Sequence, residues 1–263
     1  MKARPDSLQL VFALLGGVVL LFILAPLAGI FLRCSFADMA QAAADPDVQR
    51  SIGLTLWTSM GATLLCALPS IPLAWLLARR KFPLRPLVNG LIDLPIIIPH
   101  SAAGIALLSV LARNTPVGSL AARLGLEFVS TPAGIMTAMA FVSLPFLINS
   151  ARNGFHAVPE RLEKAALNLG ASPARVFFTI SLPLARRSIL TGLVLMWARG
   201  MSEFGAVIIM AYHPTIAPVM IYERFSAFGL RHALPMTAVF ILICLLLFLL
   251  LKILAGDREH VVP

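Results

Sequence analysis

The sequence is poor in charged residues, which make up 13% of its 263 positions, about half of the roughly 25% usual in globular proteins. Hydrophobic residues make up 59%. A soluble core of this length cannot bury so much apolar surface, so the excess must face lipid or neighbouring helices. The apolar runs do not alternate as barrel strands would. The shortage of charge therefore excludes a soluble enzyme and predicts an all-α integral membrane protein.

The sequence also lacks the common catalytic motifs. None of its four lysines, at positions 2, 81, 164 and 252, follows a glycine, so it cannot form a phosphate-binding loop for ATP. Its five histidines lack the spacing of a zinc-binding helix, and no serine lies in a G-x-S-x-G turn. Cys34, Cys66 and Cys244 are too few and too scattered for a disulfide framework. We therefore expect no catalytic residue, metal or cofactor in this chain.

Long apolar runs are what the sequence has, and they predict about six transmembrane helices within a single domain, residues 1–263. The expected spans are residues 8–32, 52–78, 87–112, 133–150, 189–212 and 235–255. The first run could be a cleaved signal peptide, but it has 25 residues and is too long for that role. We expect a retained helix.

The basic residues predict the orientation of these spans. If the N-terminus is inside, 14 of the 21 lysines and arginines are cytoplasmic and 6 are external, which favours a cytoplasmic (inner) membrane protein with both termini in the cytoplasm. The cytoplasmic set is Lys2, Arg4, Arg79, Arg80, Lys81, Arg85, Arg152, Arg161, Lys164, Arg175, Arg186, Arg187, Lys252 and Arg258, and the external set is Arg33, Arg50, Arg113, Arg123, Arg224 and Arg231. The net charge of +9 thus reflects topology, and no nucleic-acid partner is expected.

The longest cytoplasmic connection, residues 151–188, has a helical period of its own, which suggests a partner. Pro159 suits the first position of a helix, and Glu160 and Glu163 suit its positive end. Its apolar face would consist of Leu162, Ala165, Ala166 and Leu169. Gly170 suits the left-handed position that ends a helix, and a bulky side chain there is expected to block the turn.

A second short helix is expected after this turn. Ser172 and Pro173 look like its cap and first position, and Pro183 is expected to end it. On periodicity alone, the two helices could equally form a hairpin lying on the lipid headgroups.

The cytoplasmic segment resembles a known motif. Residues 163–170, EKAALNLG, followed thirteen residues later by Pro183, are similar to the EAA loop of binding-protein-dependent ABC importer permeases. One departure exists, because the glutamate of the pattern would fall on Lys164, with Glu163 one place early. Residues 93–100, 197–206 and 216–224 resemble the molybdate/tungstate branch of these permeases, and related sulfate permeases share part of the second segment.

This resemblance implies a MetI-like importer permease fold with a cytoplasmic coupling helix. The helix would dock in a groove of an ATP-binding cassette subunit, and ATP-driven closure of two such subunits, using ATP and Mg²⁺, would switch the pathway from inward-facing to outward-facing. A second permease copy forming a homodimer, an extracytoplasmic oxyanion-binding protein and membrane lipid are the other implied partners. The ATPase-coupling residues would be Glu160, Arg161, Leu162, Glu163, Lys164, Ala165, Ala166, Leu167, Asn168, Leu169, Gly170, Ala171 and Ser172.

Charged residues inside spans are costly, so they are functional candidates. Arg199 and Glu203 are four residues apart and are expected to share a helix face and pair, either as a structural ion pair or as part of an oxyanion pathway. His100 is either a satisfied internal histidine or a pathway contact, and Asp93 either bonds a neighbouring helix or faces a watery cavity. The candidate pathway or gate residues are Asp93, Pro99, His100, Arg199, Ser202, Glu203 and Gly205.

Several functions remain open from the sequence. The leading hypothesis is the permease of a molybdate or tungstate importer, and sulfate or another oxyanion is the nearest alternative. An ion-coupled secondary transporter could use Arg199 and Glu203, whereas an intramembrane enzyme could use Asp93, Glu203 or His100. The external segment 213–232 is expected either to contact the binding protein or to act as a lid.

Overall fold

The computed structural model describes residues 7–254. Within that range the chain forms helices and their connections, with no strand, as expected. Lys2, Arg4 and Arg258, and Ala255 of the sixth expected span, lie outside the described residues. The helices are α1 (Ser7–Leu32), α2 (Phe36–Ala44), α3 (Pro46–Arg79), α4 (Arg85–Ile97), α5 (His100–Leu111), α6 (Pro116–Arg123), α7 (Pro132–Ala157), α8 (Glu160–Asn168), α9 (Pro173–Met201), α10 (Gly205–Met210), α11 (Ala217–Phe228) and α12 (Leu230–Leu254).

Five of the described helices, α1, α3, α7, α9 and α12, are long and apolar enough to cross a membrane. The third expected span, residues 87–112, is different from the prediction, because it is a pair of helices, α4 and α5, bent by 113°. Pro99 lies at the break and acts as the N-cap of α5. A proline disfavours helical geometry in the preceding residue and has no N–H to donate, so the helix cannot continue straight through it.

Helix α4 runs antiparallel to α7. Three polar contacts join α4 to α7, namely Arg85 with His156 (3.2 Å), Asn89 with Arg152 (2.7 Å) and Asp93 with Asn149 (2.6 Å). Because the partners run in opposite order along the two helices, α4 begins level with the end of α7. The chain then passes through α5 and α6 before α7 begins, so it has reached the other side. Counted as one span, the bent pair and the five long helices together give six candidate spans, by length and composition.

Helix α9 corrects two boundaries that the sequence suggested. The helix does not stop at Pro183 but runs without interruption from Pro173 to Met201. A π-helical turn at Phe177–Ser181 widens the backbone, and the Leu182 amide donates to the Phe177 carbonyl, five residues back. This change in the hydrogen-bonding register comes directly before Pro183. Because proline has no amide hydrogen to donate, the helix can continue through it after this turn. The fifth expected span, residues 189–212, is therefore not one helix. It covers the C-terminal part of α9 and the separate helix α10.

Helices α3, α7 and α9 form the centre of the bundle, and small residues bring α7 and α9 close together. A Cβ added to Gly154 would lie 2.5 Å from Ser188 Cβ, and one added to Gly192 would lie 2.9 Å from Ser150 Cβ. The Ser150 hydroxyl donates to the Ser188 carbonyl at 2.6 Å. Close packing of small residues with hydrogen bonds between helices is what holds helices together in lipid, where apolar burial contributes little.

Candidate functional site

The loop of residues 151–188, which the sequence predicts to be cytoplasmic, contains a tight, glycine-dependent turn after α8. Gly170 has φ +87°. The Ala171 amide donates to the Ala166 carbonyl at 3.0 Å, and the Gly170 amide donates to the Leu167 carbonyl at 2.9 Å. These two hydrogen bonds form the Schellman motif that closes a helix on a left-handed residue. The sequence therefore placed the end of α8 correctly, although Pro159 is its N-cap and not its first helical residue.

Glycine is needed at position 170 for its backbone angle and not for space. A Cβ built there would meet no atom within 4 Å, so a bulky side chain would disturb the turn through its left-handed backbone angle and not by a clash with neighbouring atoms. The start of α9 matches the sequence prediction, because the Ser172 hydroxyl accepts from the Arg175 amide at 3.3 Å and Pro173 occupies the first turn. The turn is thus held by hydrogen bonds on both sides.

Helix α8 turns apolar side chains outward. Leu162 is 42% exposed, Leu167 43% and Leu169 89%. Most of the other expected coupling residues are exposed too, whereas Ala166 and Ala171 are partly buried. Glu160 and Lys164 form an exposed ion pair at 2.9 Å. Neighbouring uncovered leucines on a loop outside the lipid are typical of a protein-docking surface.

Glu163 is the exception on α8, because it is buried. Its carboxylate accepts two hydrogen bonds from Arg79, through Nε and Nη2, both at 2.9 Å, and a third from the Ser181 hydroxyl at 2.7 Å. Arg79 Nη2 also donates to the Val158 carbonyl at 2.9 Å. Nothing in the sequence indicates this contact, because Arg79 lies 84 positions away and was assigned only to the basic residues that predict topology.

A charged cluster forms where α5 begins and α9 ends. Glu203 is fully buried, and its Oε2 lies 3.0 Å from Arg199 Nη2 and 3.1 Å from His100 Nδ1. The same arginine nitrogen lies within 3.0 Å of both ring nitrogens of His100. The expected pairing of Arg199 with Glu203 is present, but the two do not share a helix face, because α9 ends at Met201.

The two oxygens of Glu203 have different roles. Oε1 accepts from the Ala206 amide at 2.9 Å and so caps the first turn of α10. Oε2 is buried and, among the described residues, accepts no hydrogen bond of good geometry, although it lies within ion-pair distance of Arg199 and next to the imidazole of His100. A carboxylate oxygen in this position offsets the charge of Arg199.

Gly205 brings the start of α5 into this cluster. A Cβ at position 205 would lie 2.7 Å from His100 Cβ and 3.3 Å from the Ser101 nitrogen, so only glycine permits the approach. The first amides of a helix have no partners within it and carry the positive end of the helix dipole. Ser202 is exposed at the rim, where its hydroxyl lies 3.3 Å from Arg199 Nη1. The cluster therefore brings an arginine, a histidine and the start of a helix together with one buried carboxylate, Glu203.

Asp93 does not join the charged cluster. It accepts a hydrogen bond from Asn149 where α4 contacts α7. Of the two alternatives that the sequence left open for Asp93, the bond to a neighbouring helix is therefore the one present. Of the predicted pathway residues, the structure thus gathers His100, Arg199, Ser202, Glu203 and Gly205 around the break at Pro99. Within residues 7–254, no three histidine, cysteine or acidic side chains lie close enough to share a metal ion.

Segment 213–232 also makes a contact that its sequence does not indicate. Arg224 on α11 donates to Asp45, the N-cap of α3, at 2.6 Å. This hydrogen bond is the main reason that the pKa of Asp45 is lowered from its ordinary value. The Ala217 amide donates to the Thr55 hydroxyl at 2.9 Å and further ties α11 to α3.

The chain is similar to known transport proteins. The family described as binding-protein-dependent transport system inner membrane component matches residues 70–258. A relative from Thermococcus kodakarensis, named molybdate/tungstate transport system permease protein WtpB, is 40% identical over 97% of this chain and 99% of its own length. A probable sulfate transport system permease protein, cysT of Chlorokybus atmophyticus, is 32% identical over 86% of this chain and 81% of its own length.

A solved structure shares the fold. The crystal structure of a bacterial ABC transporter involved in the import of the acidic polysaccharide alginate matches with a TM-score of 0.72 and 19% identity, over 95% of this chain and 96% of that one. The expected importer permease fold is thereby confirmed.

Proposed function

Because this chain belongs to the binding-protein-dependent transport system inner membrane component family, we propose that it is the permease subunit of an importer for molybdate or tungstate. It is a multi-pass inner membrane protein of the ABC transporter permease class. ATP, with Mg²⁺, is hydrolysed on a separate subunit, and the chain itself contributes no catalytic residue.

The observation that carries an oxyanion as cargo is the charged cluster around Glu203. An arginine, a histidine and the first turn of α5 converge where the third crossing is broken. Helix starts inside broken membrane helices suit anionic groups, because their amides point at the ion. Glu203 keeps this site from holding the anion too tightly, since a transported ion must also leave.

Coupling to ATP is assigned to α8 and the Gly170 turn. The outward leucines of α8 form the surface for the ATP-binding subunit, and the Arg79 contact links that surface to the bundle. The assembly contains two copies of this chain as a homodimer, two ATP-binding subunits and an extracytoplasmic oxyanion-binding protein that approaches the side of α11. Both termini lie in the cytoplasm, in keeping with the excess of basic residues there.

Sulfate is the second candidate cargo, since a sulfate permease relative covers most of the chain. Molybdate, tungstate and sulfate are all divalent tetrahedral oxyanions, so the charged cluster does not by itself choose among them.

Reconstitution into liposomes tests the proposal. The permease, the ATP-binding subunit and the binding protein are combined, and molybdate uptake is measured with tungstate or sulfate as competitor. We expect uptake only with ATP and the ATP-binding subunit, strong competition by tungstate and weak competition by sulfate. Uptake that needs an ion gradient and ignores ATP would establish a secondary transporter. Turnover by the isolated permease would establish an enzyme.

A further inference from the structure

The contact between Arg79 and Glu163 lies where four helices meet. Arg79 is the last residue of α3, Val158 follows α7, Glu163 lies in α8, and Ser181 lies in the π-helical turn of α9. One guanidinium and one carboxylate therefore connect the cytoplasmic ends of these helices. We refer to Arg79, Val158, Glu163 and Ser181 together as the Arg79 clamp.

Both charges of the clamp are withdrawn from solvent. The side chain of Arg79 is 9% exposed and that of Glu163 is 10% exposed. Both carboxylate oxygens are occupied, one by Arg79 Nε and the other by Arg79 Nη2 and the Ser181 hydroxyl. Glu163 therefore directs both oxygens at its own bundle and leaves little of its side chain for another protein to contact.

The other ion pair of α8 provides a contrast. Lys164 and Glu160 are 71% and 57% exposed, and exposed pairs contribute little to stability. A buried pair is different, because removing one partner leaves the other as an uncompensated charge. Glu163 is thus the side chain through which α8 makes polar contacts with α3 and α9.

We propose that the Arg79 clamp makes α8 move as one body with α3 and α9, so that Glu163 is a positioning residue for coupling and not a contact for the ATP-binding subunit. The inference rests on the proposed function of α8. A force applied to the outward leucines is transmitted through the clamp to the ends of α3 and α9. Without the clamp, α8 tilts under the same push and the bundle does not follow.

The first test needs no partner. Amide hydrogen exchange of residues 160–168 is measured on the full permease in lipid nanodiscs for Arg79→Gln and Glu163→Gln. Both variants are expected to exchange about tenfold faster or more in α8, because each leaves a buried charge unpaired. Asp47→Asn is the control, since it breaks a pair in which Asp47 is 72% exposed. Unchanged exchange in α8 would overturn the clamp.

The second test measures ATP hydrolysed per anion imported by the reconstituted complex. Both clamp variants are expected to assemble with the ATP-binding subunit and to hydrolyse ATP, but to import several-fold less anion per ATP. A purely structural role would lower the amount of complex and leave this ratio unchanged, and that result would refute the proposal. So would a strong effect of Glu163→Gln beside a silent Arg79→Gln, because Glu163 would then contact the partner itself.

The two tests separate the clamp from the proposed function. If the wild-type complex shows no ATP-driven uptake, the importer assignment fails, whereas the exchange of α8 in the isolated permease still decides whether the clamp holds this helix.

Discussion

Substitution of Gly170 by valine is expected to disconnect ATP hydrolysis from transport. Gly170 has φ +87°, and a Cβ there would touch nothing within 4 Å, so the penalty comes from the backbone alone. A left-handed conformation costs an ordinary residue about 1–2 kcal/mol, and a β-branched residue tolerates it least. This cost corresponds to a factor of about 5–30 in the population that keeps the native turn.

The assay is ATP-driven molybdate uptake by the reconstituted importer, with ATP hydrolysis followed in parallel. Gly170→Val is expected to insert and assemble normally but to lower the uptake per ATP by about that same factor. Gly170→Asn is expected to retain more coupling, because asparagine visits the left-handed region more readily.

Gly125→Val is the matched control. Gly125, between α6 and α7, has φ +78° and equally open surroundings, so valine there brings the same strain at a place without a coupling role. If Gly170→Val imports as much molybdate per ATP as the wild type, or if both valine variants lose uptake per ATP equally, the Gly170 turn does not link ATP hydrolysis to transport.

Two further predictions concern the ion pairs. Arg199→Leu is expected to destabilise the permease by about 3–5 kcal/mol, because Glu203 remains as a buried charge, whereas the double variant Arg199→Leu with Glu203→Leu recovers most of this loss. Denaturant unfolding in detergent measures the stability of both variants. Equal stability of the wild type and the single variant would contradict the pairing. The link between Asp45 and Arg224 is expected to stabilise the external segment at pH values above the ordinary pKa of aspartate and to weaken as the pH falls through the lowered pKa of Asp45. Hydrogen exchange of α11 across that range measures this effect, and Asp45→Asn should remove the pH dependence.

The crossings were predictable wherever an apolar run was uninterrupted. The expected spans 8–32 and 133–150 fall within single helices, α1 and α7, because composition alone decides which segments enter lipid. The predicted helix boundaries were wrong at two prolines. Pro99 broke a helix and Pro183 did not, although both stand in apolar surroundings, because the π-helical turn before Pro183 accommodates the missing amide.

The candidate site was partly predictable. Gly170 and Ser172 could be assigned from local rules, since a left-handed glycine and a serine cap act within a few residues of chain. The pairing of Arg199 with Glu203 followed from their spacing. The contact of His100 with Glu203 did not, because it joins residues of α5 to a carboxylate beyond the end of α9.

The sequence by itself determined that this chain is a membrane protein, where its long apolar segments lie and which loop carries the glycine turn. Transfer to lipid and turn geometry depend on residues that are close together in the chain. The tertiary structure alone decided which charges meet. Glu163 stands one place before the position expected from its motif, and only its approach to Arg79 and Ser181 shows that it faces inward. Such pairings depend on how helices from distant parts of the chain pack together, and composition and periodicity do not record that packing.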